Sequence, residues 1–194
     1  MWYVVQVTVG KEAWVCELIT SCVKADEHLR QSGRTASVLS ECFVPTYQAE
    51  RKLAGKFTMF DKKLFPGYVV AISNDVIELN RILRSVSAFT KILGSGNAFT
   101  PLDQAEKDFI DSFTEENNRI IPTSRAIVEG NRVIVTEGPL VGHETWIRKV
   151  NRRKGTVEIE FEAFGRALSI EVGMITVSKR FDASARESKQ FFNK

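Results

Sequence analysis

The chain has 194 residues, 43% hydrophobic and 26% charged, a mixture that can bury a core and excludes wholesale disorder; the length suits one or two domains. Its formal charge of +3 is too small to announce a polyanionic partner, so the distribution of that charge matters more than its sum. Three Cys and two His, with no pair at zinc-knuckle spacing, point to reduced thiols and to no metal or other cofactor. Residues 1–7 lack a basic leader and a small-residue cleavage site, and no later run approaches the ~20 apolar residues of a membrane span. A soluble, cytoplasmic protein without a membrane partner is expected.

In chain order, residues 2–8 are rich in β-branched and aromatic side chains and stop at Gly10, which reads as a strand. Trp14, Leu18 and Cys22, with Val15 and Ile19 beside them, recur at helical spacing through Lys24. Residues 42–47 and 64–72 read as strands, and the polar segment 48–63 between them as a hairpin connection. Asn74 or Asp75 can cap a helix whose apolar face is Ile77, Leu79, Ile82 and Leu83. A short strand over 88–93 follows. Asp103 and Glu106 then have the spacing of a capping box ahead of Phe109, Ile110 and Phe113. The order β, α, β, β, α, β, α implies helices packed on a mostly antiparallel sheet, an α+β arrangement.

The polar run Glu115-Glu116-Asn117-Asn118-Arg119, followed by Pro122-Thr123-Ser124, continues neither period and reads as a linker. It divides the chain into an N-terminal domain over 1–114, a linker over 115–124, a second domain over 125–180 and a tail over 181–194. Residues 1–118 carry 13 Lys+Arg against 15 Asp+Glu and residues 119–194 carry 14 against 9, so the total conceals −2 and +5. In the second part, strands are expected over 133–137, before the turn Gly138-Pro139, and over 146–150. Val157, Ile159 and Phe161 alternate with Glu158, Glu160 and Glu162, and Leu168, Ile170 and Val172 repeat the period; 175–177 adds one more strand. About five short strands in this space suit a small closed barrel.

Nothing in the sequence supports an enzyme or assigns a catalytic residue. His28 sits in a polar neighbourhood, His143 lies in a turn without triad partners, and the acidic ladder 158–162 is better explained as a solvated strand face. Gly94-Ser95-Gly96 lacks the Lys and following helix of a phosphate loop. Two features carry more. Arg148, Lys149, Arg152, Arg153 and Lys154 gather five positive charges in seven residues around a turn at Asn151 and Gly155, which suits phosphates as well as it suits a merely soluble loop. In Leu64-Phe65-Pro66-Gly67-Tyr68-Val69, a bulge at Pro66-Gly67 would bring Phe65 and Tyr68 to one side as an apolar patch; regular strand parity would separate them.

Together these residues resemble the NusG family of transcription elongation factors. Trp2-Tyr3-Val4-Val5-Gln6, Gly10-Lys11-Glu12 and Phe65-Pro66-Gly67-Tyr68 are similar to its N-terminal domain. Val133-Ile134-Val135-Thr136-Glu137-Gly138-Pro139-Leu140 and Phe164-Gly165-Arg166 are similar to its KOW domain. The resemblance implies a NusG-type α+β domain followed by an SH3-like β-barrel KOW domain. The basic stretch 147–154, with Gly130-Asn131 and Thr145-Trp146 in place of the usual Gly-Asp and second turn glycine, resembles the specialised LoaP branch of antiterminators. What this implies is an operon-specific antitermination factor, a monomer, whose N-terminal domain binds the clamp helices of RNA polymerase through Phe65, Tyr68, Trp2, Tyr3 and Ile92. Its KOW domain would bind a nascent RNA hairpin through Arg148, Lys149, Arg152, Arg153, Lys154 and Arg166. The alternatives are a housekeeping factor whose KOW domain tethers a ribosomal protein or termination factor, and a translation-associated RNA binder. A helical refolding of the KOW domain, known in the family, is opposed by the β alternation through 157–172.

Overall fold

The computed structural model describes residues 1–30, 37–53, 55–95, 98–115, 118–130, 132–163 and 166–178. Strand β1 (Trp2–Val7) is central in a four-stranded antiparallel sheet with β2 (Leu39–Phe43), β5 (Tyr68–Ser73) and β6 (Thr90–Ile92), in the order β2-β5-β1-β6. Strand alternation gives this sheet two apolar faces. Val5, Val7, Val69 and Ala71 point to one, which is covered by α1 (Glu12–Arg30) and α2 (Val76–Leu83) through Val15, Ile19, Val23, Leu79 and Ile82. Asp75 is the cap of α2: its carboxylate accepts from the Glu78 N–H at 3.0 Å. Trp2, Val4, Tyr68 and Val70 belong to the other face. There they meet α3 (Gln104–Phe113), which opens with the expected reciprocal Asp103–Glu106 capping box.

The segment 48–63 is not a loop-like connection. It forms most of a hairpin, β3 (Thr46–Leu53) with β4 (Lys56–Lys63), paired from Thr46↔Lys63 to Leu53↔Lys56. Among the described side chains Tyr47, Ala49 and Phe60 supply the apolar contacts on its inner face, while Phe57, Met59 and Asp61 on the outer face are exposed, so composition masks the strand period. A minor ribbon, β7 (Gly94–Ser95) with β8 (Ala98–Phe99), follows β6. The expected linker is also structured in part: β9 (Ile120–Ile121) lies parallel to β3 through Thr46↔Ile120 and Tyr47↔Ile121.

The remaining strands are β10 (Ser124–Glu129), β11 (Arg132–Glu137), β12 (Ile147–Asn151), β13 (Thr156–Ala163) and β14 (Arg166–Ser178), in the order β11-β10-β14-β13-β12. Val157, Ile159, Ile170 and Val172 are all buried, as their alternation requires. Three expectations change. Strand β10 is additional; Trp146 belongs to the 3-10 turn Glu144–Trp146 rather than to a strand; and residues 175–177 continue β14 instead of forming their own strand. The length of β14 lets it pair antiparallel with β13 and, further along, parallel with β10 from Ser124↔Met174. Phe164-Gly165 and the tail 181–194 lie outside the described residues, and among those described no helix is long and apolar enough to cross a membrane.

Candidate docking cavity and basic turn

An apolar cavity of about 320 Å³ opens between the outer face of the first sheet and the second one, lined by Val4, Pro45, Phe65, Tyr68, Val70, Leu93, Leu102, Ile110 and Leu168. Phe65 and Tyr68 share it because the chain turns sharply between them. Gly67 has φ +86°, a left-handed conformation that suits glycine, and the Tyr68 N–H donates to the Phe65 carbonyl at 3.2 Å. The turn is anchored from the opposite layer. Glu12, fully buried at the start of α1, accepts the Gly67 N–H at 2.7 Å through Oε1 and pairs with Lys63 Nζ through Oε2. Burial alone would raise the Glu12 carboxyl, but the Lys63 ammonium and the backbone N–H donors outweigh it and bring the pKa down to about 2.

The other expected docking residues are divided by strand parity. Tyr3 and Ile92 are buried on the α1–α2 side, so neither lines the cavity; Val4 and Leu93, one position along in each case, do. Cross-strand pairing of Ile92 with Val5 fixes that orientation. Trp2 is on the cavity side but is occupied: it packs edge-on against Phe43 with centroids 5.6 Å apart, and the Arg119 guanidinium lies 5.2 Å from its ring. Arg119 also donates to Glu41 at 2.7 Å and to Asp111 at 2.7 Å, and these bonds raise its pKa further.

Several contacts hold the second sheet over this face. Phe109 and Phe113 of α3 stack at 4.6 Å; Phe113 stacks on Trp146 at 5.7 Å, and His143 lies 4.2 Å from Trp146. His143, in a turn as expected, is part of an aromatic stack. Glu171 of β14 accepts from the Tyr47 hydroxyl at 2.6 Å and from Lys62 Nζ at 3.0 Å. Burial raises the Glu171 carboxyl, yet those two donors prevail and leave its pKa lowered; burial and the same carboxylate raise the Tyr47 phenol. Finally, two carbonyls on one edge of β3 touch glycines of the second sheet. A Cβ at Gly173 would collide with the Gln48 oxygen, and one at Gly155 with the Glu50 oxygen.

The basic cluster surrounds the turn between β12 and β13. Asn151 shapes it by accepting the Lys154 N–H on Oδ1 at 3.1 Å, and Gly155 adopts φ +63°. Arg148, Lys149, Arg152, Arg153 and Lys154 are all exposed. They are not equivalent: Arg148 is paired with Glu160 at 2.8 Å, and Lys149 lies opposite Glu158 in the ladder, which leaves residues 152–154 as the cationic tip. Arg166 starts β14, across from Ala163 at the other end of the β13–β14 ladder from the Thr156↔Gly173 pair beside this turn; its side chain lies outside the described ones. Among the described residues no group of His, Cys, Asp or Glu is arranged to hold a metal ion.

Comparison with known proteins agrees with this architecture. Residues 1–111 match the family model described as "Transcription termination factor nusG". The chain is 28% identical over 179 residues to the transcription termination/antitermination protein NusG of Pasteurella multocida, covering 92% of this chain and 94% of that protein. The corresponding protein of Vibrio parahaemolyticus is 29% identical over 182 residues, with 92% and 94% covered. A solved structure described as domain interaction in Thermotoga maritima NusG superposes with a TM-score of 0.52 at 20% identity, covering 89% of this chain and 92% of that one.

Proposed function

This chain belongs to the NusG family of transcription termination/antitermination factors, and on that premise we propose that it is an operon-specific antitermination factor of the LoaP type. Its N-terminal domain, residues 1–114, docks on the clamp helices of RNA polymerase through Phe65 and Tyr68, with Val4, Val70 and Leu93 as the floor. The KOW domain, residues 125–180, binds a nascent RNA hairpin through Arg152, Arg153 and Lys154, with Arg148, Lys149 and Arg166 flanking. The observation that carries the docking half is the cavity itself. Among the described residues Leu168 is the sole lining residue from the second sheet, so lifting that sheet uncovers an apolar face on the N-terminal domain. Polymerase binding then selects the separated state, and differential affinity for that state supplies the free energy of opening.

The test is binding of the purified protein to a clamp-helix fragment of polymerase, together with readthrough of a terminator downstream of the cognate leader. Phe65→Ala and Tyr68→Ala should abolish both while the thermal melt stays close to wild type. Undiminished binding places the docking face elsewhere. The pairing of Arg148 with Glu160 and of Lys149 opposite Glu158 favours a second reading, because it leaves three of the five charges for phosphates. In that reading the KOW domain tethers a ribosomal protein or termination factor, and RNA-independent co-purification distinguishes it.

A further inference from the structure

Among the described residues Arg119 is the one non-glycine with a positive φ, +55°, a left-handed conformation that strains an arginine backbone. What holds it there is a complete receptor for its guanidinium. Nε and Nη2 donate side by side to the two carboxylate oxygens of Glu41, at 3.0 and 2.7 Å, and Nη1 donates to Asp111 at 2.7 Å. The ring centres of Phe43 and Trp2, which meet edge-on, lie 4.7 and 5.2 Å from the guanidinium carbon. These four walls stand on β1, β2 and α3, around the first sheet, whereas the occupant belongs to the connection between α3 and β10.

Two further observations set this site apart from an ordinary ion pair. It adjoins the cavity: Trp2 and Val4 share a face of β1, about 7 Å apart along the strand. The Trp2 carbonyl also accepts the N–H of Leu102, a cavity residue, at 2.8 Å. Its occupant, moreover, is tied to the covering sheet, since Arg119 directly precedes β9 and β10 begins at Ser124. The movement that uncovers the cavity therefore pulls on the residue that fills the receptor. Vacated, the site presents two carboxylates beside two aromatic rings, a set that fits a planar guanidinium better than the compact, strongly hydrated ammonium of lysine.

We propose that Trp2, Phe43, Glu41 and Asp111 form a binding site for an arginine side chain of the partner helix, and that Arg119 is an internal ligand that fills it while the second sheet is seated. The proposal rests on the polymerase-docking reading above and adds a specific anchor to it. A helix laid on the apolar face advances about 5.4 Å per turn, so an arginine one to two turns beyond the side chain over Val4 reaches the site. Arg119 competes with that arginine, and a chain without the internal ligand docks more tightly.

Two variants remove the guanidinium while keeping the backbone conformation: Arg119→Gly, which suits a positive φ, and Arg119→Asn, which tolerates it. Methylguanidinium chloride is titrated into the full chain, with methylammonium chloride as the control. It should shift the indole N–H resonance of Trp2 in both variants and leave wild type, whose site is filled, unmoved; adding Glu41→Gln should abolish the shift. A clamp-helix fragment should bind both variants roughly tenfold more tightly than wild type, and replacing the fragment's arginines with lysine should remove that gain. If methylguanidinium shifts neither variant, the receptor is overturned whatever the fragment does. If it shifts both while the fragment binds wild type and variants alike, the partner does not use the site and the internal-ligand role is overturned. If the fragment binds no form of the chain, the docking reading falls and the partner arginine with it, and the methylguanidinium titration still decides the receptor.

Discussion

The two faces of the four-stranded sheet are made from alternate residues of the same strands, yet they are covered in different ways. On one, Val5, Ile19 and Leu79 are fully buried against helices α1 and α2. On the other, an aromatic stack, a Tyr47–Glu171–Lys62 cluster and two glycine contacts hold a separate sheet above a cavity. A close-packed helical cover gains dispersion contacts throughout and is part of the folded state. A cover that leaves a void and is tied by polar groups near solvent forfeits some of those contacts and can come off while the layer beneath stays folded. On the docking reading proposed above, one face supports the fold and the other exchanges its cover.

The largest effect should separate the faces directly. Leu79→Ala, at a fully buried site, should cost about 2–5 kcal/mol of unfolding free energy in urea titration, whereas Leu168→Ala on the cavity rim should stay within about 1 kcal/mol. Equal costs would mean that the second sheet is integral to the core. Glu12 links the layers and should come next. Because its folded pKa of about 2 lies below the ordinary value of 4.5, its contribution is complete above pH 4.5 and is lost as pH falls towards 2. Glu12→Ala should lose about 1–3 kcal/mol at neutral pH by orphaning the Gly67 N–H, and Glu12→Gln should flatten stability across that acid window. Tyr47→Phe should have the smallest effect. It deletes the hydroxyl that Glu171 accepts, at about 0.5–1.5 kcal/mol, and the loss should appear as faster proteolysis between the sheets with little change in the melt of the first.

Local features were legible in the sequence: the alternation through Val157, Ile159, Ile170 and Val172, the Asp103–Glu106 box and a cap at Asn74 or Asp75, which the structure assigns to Asp75. The convergence of Phe65 and Tyr68 was legible as a conditional, resolved by the positive φ of Gly67. The β3–β4 hairpin was not, since half of it faces solvent and its inner face is completed by another sheet. Nor was the division of Trp2 from Tyr3, or of Ile92 from Leu93: either parity is apolar in a sheet buried on both sides, so only the neighbouring layers identify the cavity face. Glu12 carries no local sign of burial because its partners, Lys63 and Gly67, are more than fifty positions away.

Arg119 bears on how far the two sheets can travel. Clamped by Glu41 and Asp111 and stacked on Trp2 and Phe43, it fixes the chain just before β9, so that only Pro122 and Thr123 remain between β9 and β10. With that cleat fastened, the leash is about 10 Å long and the lifted sheet stays at high effective concentration over its old seat. The Arg119 guanidinium and the β9–β3 pairing thus act together to keep the second sheet near its seat.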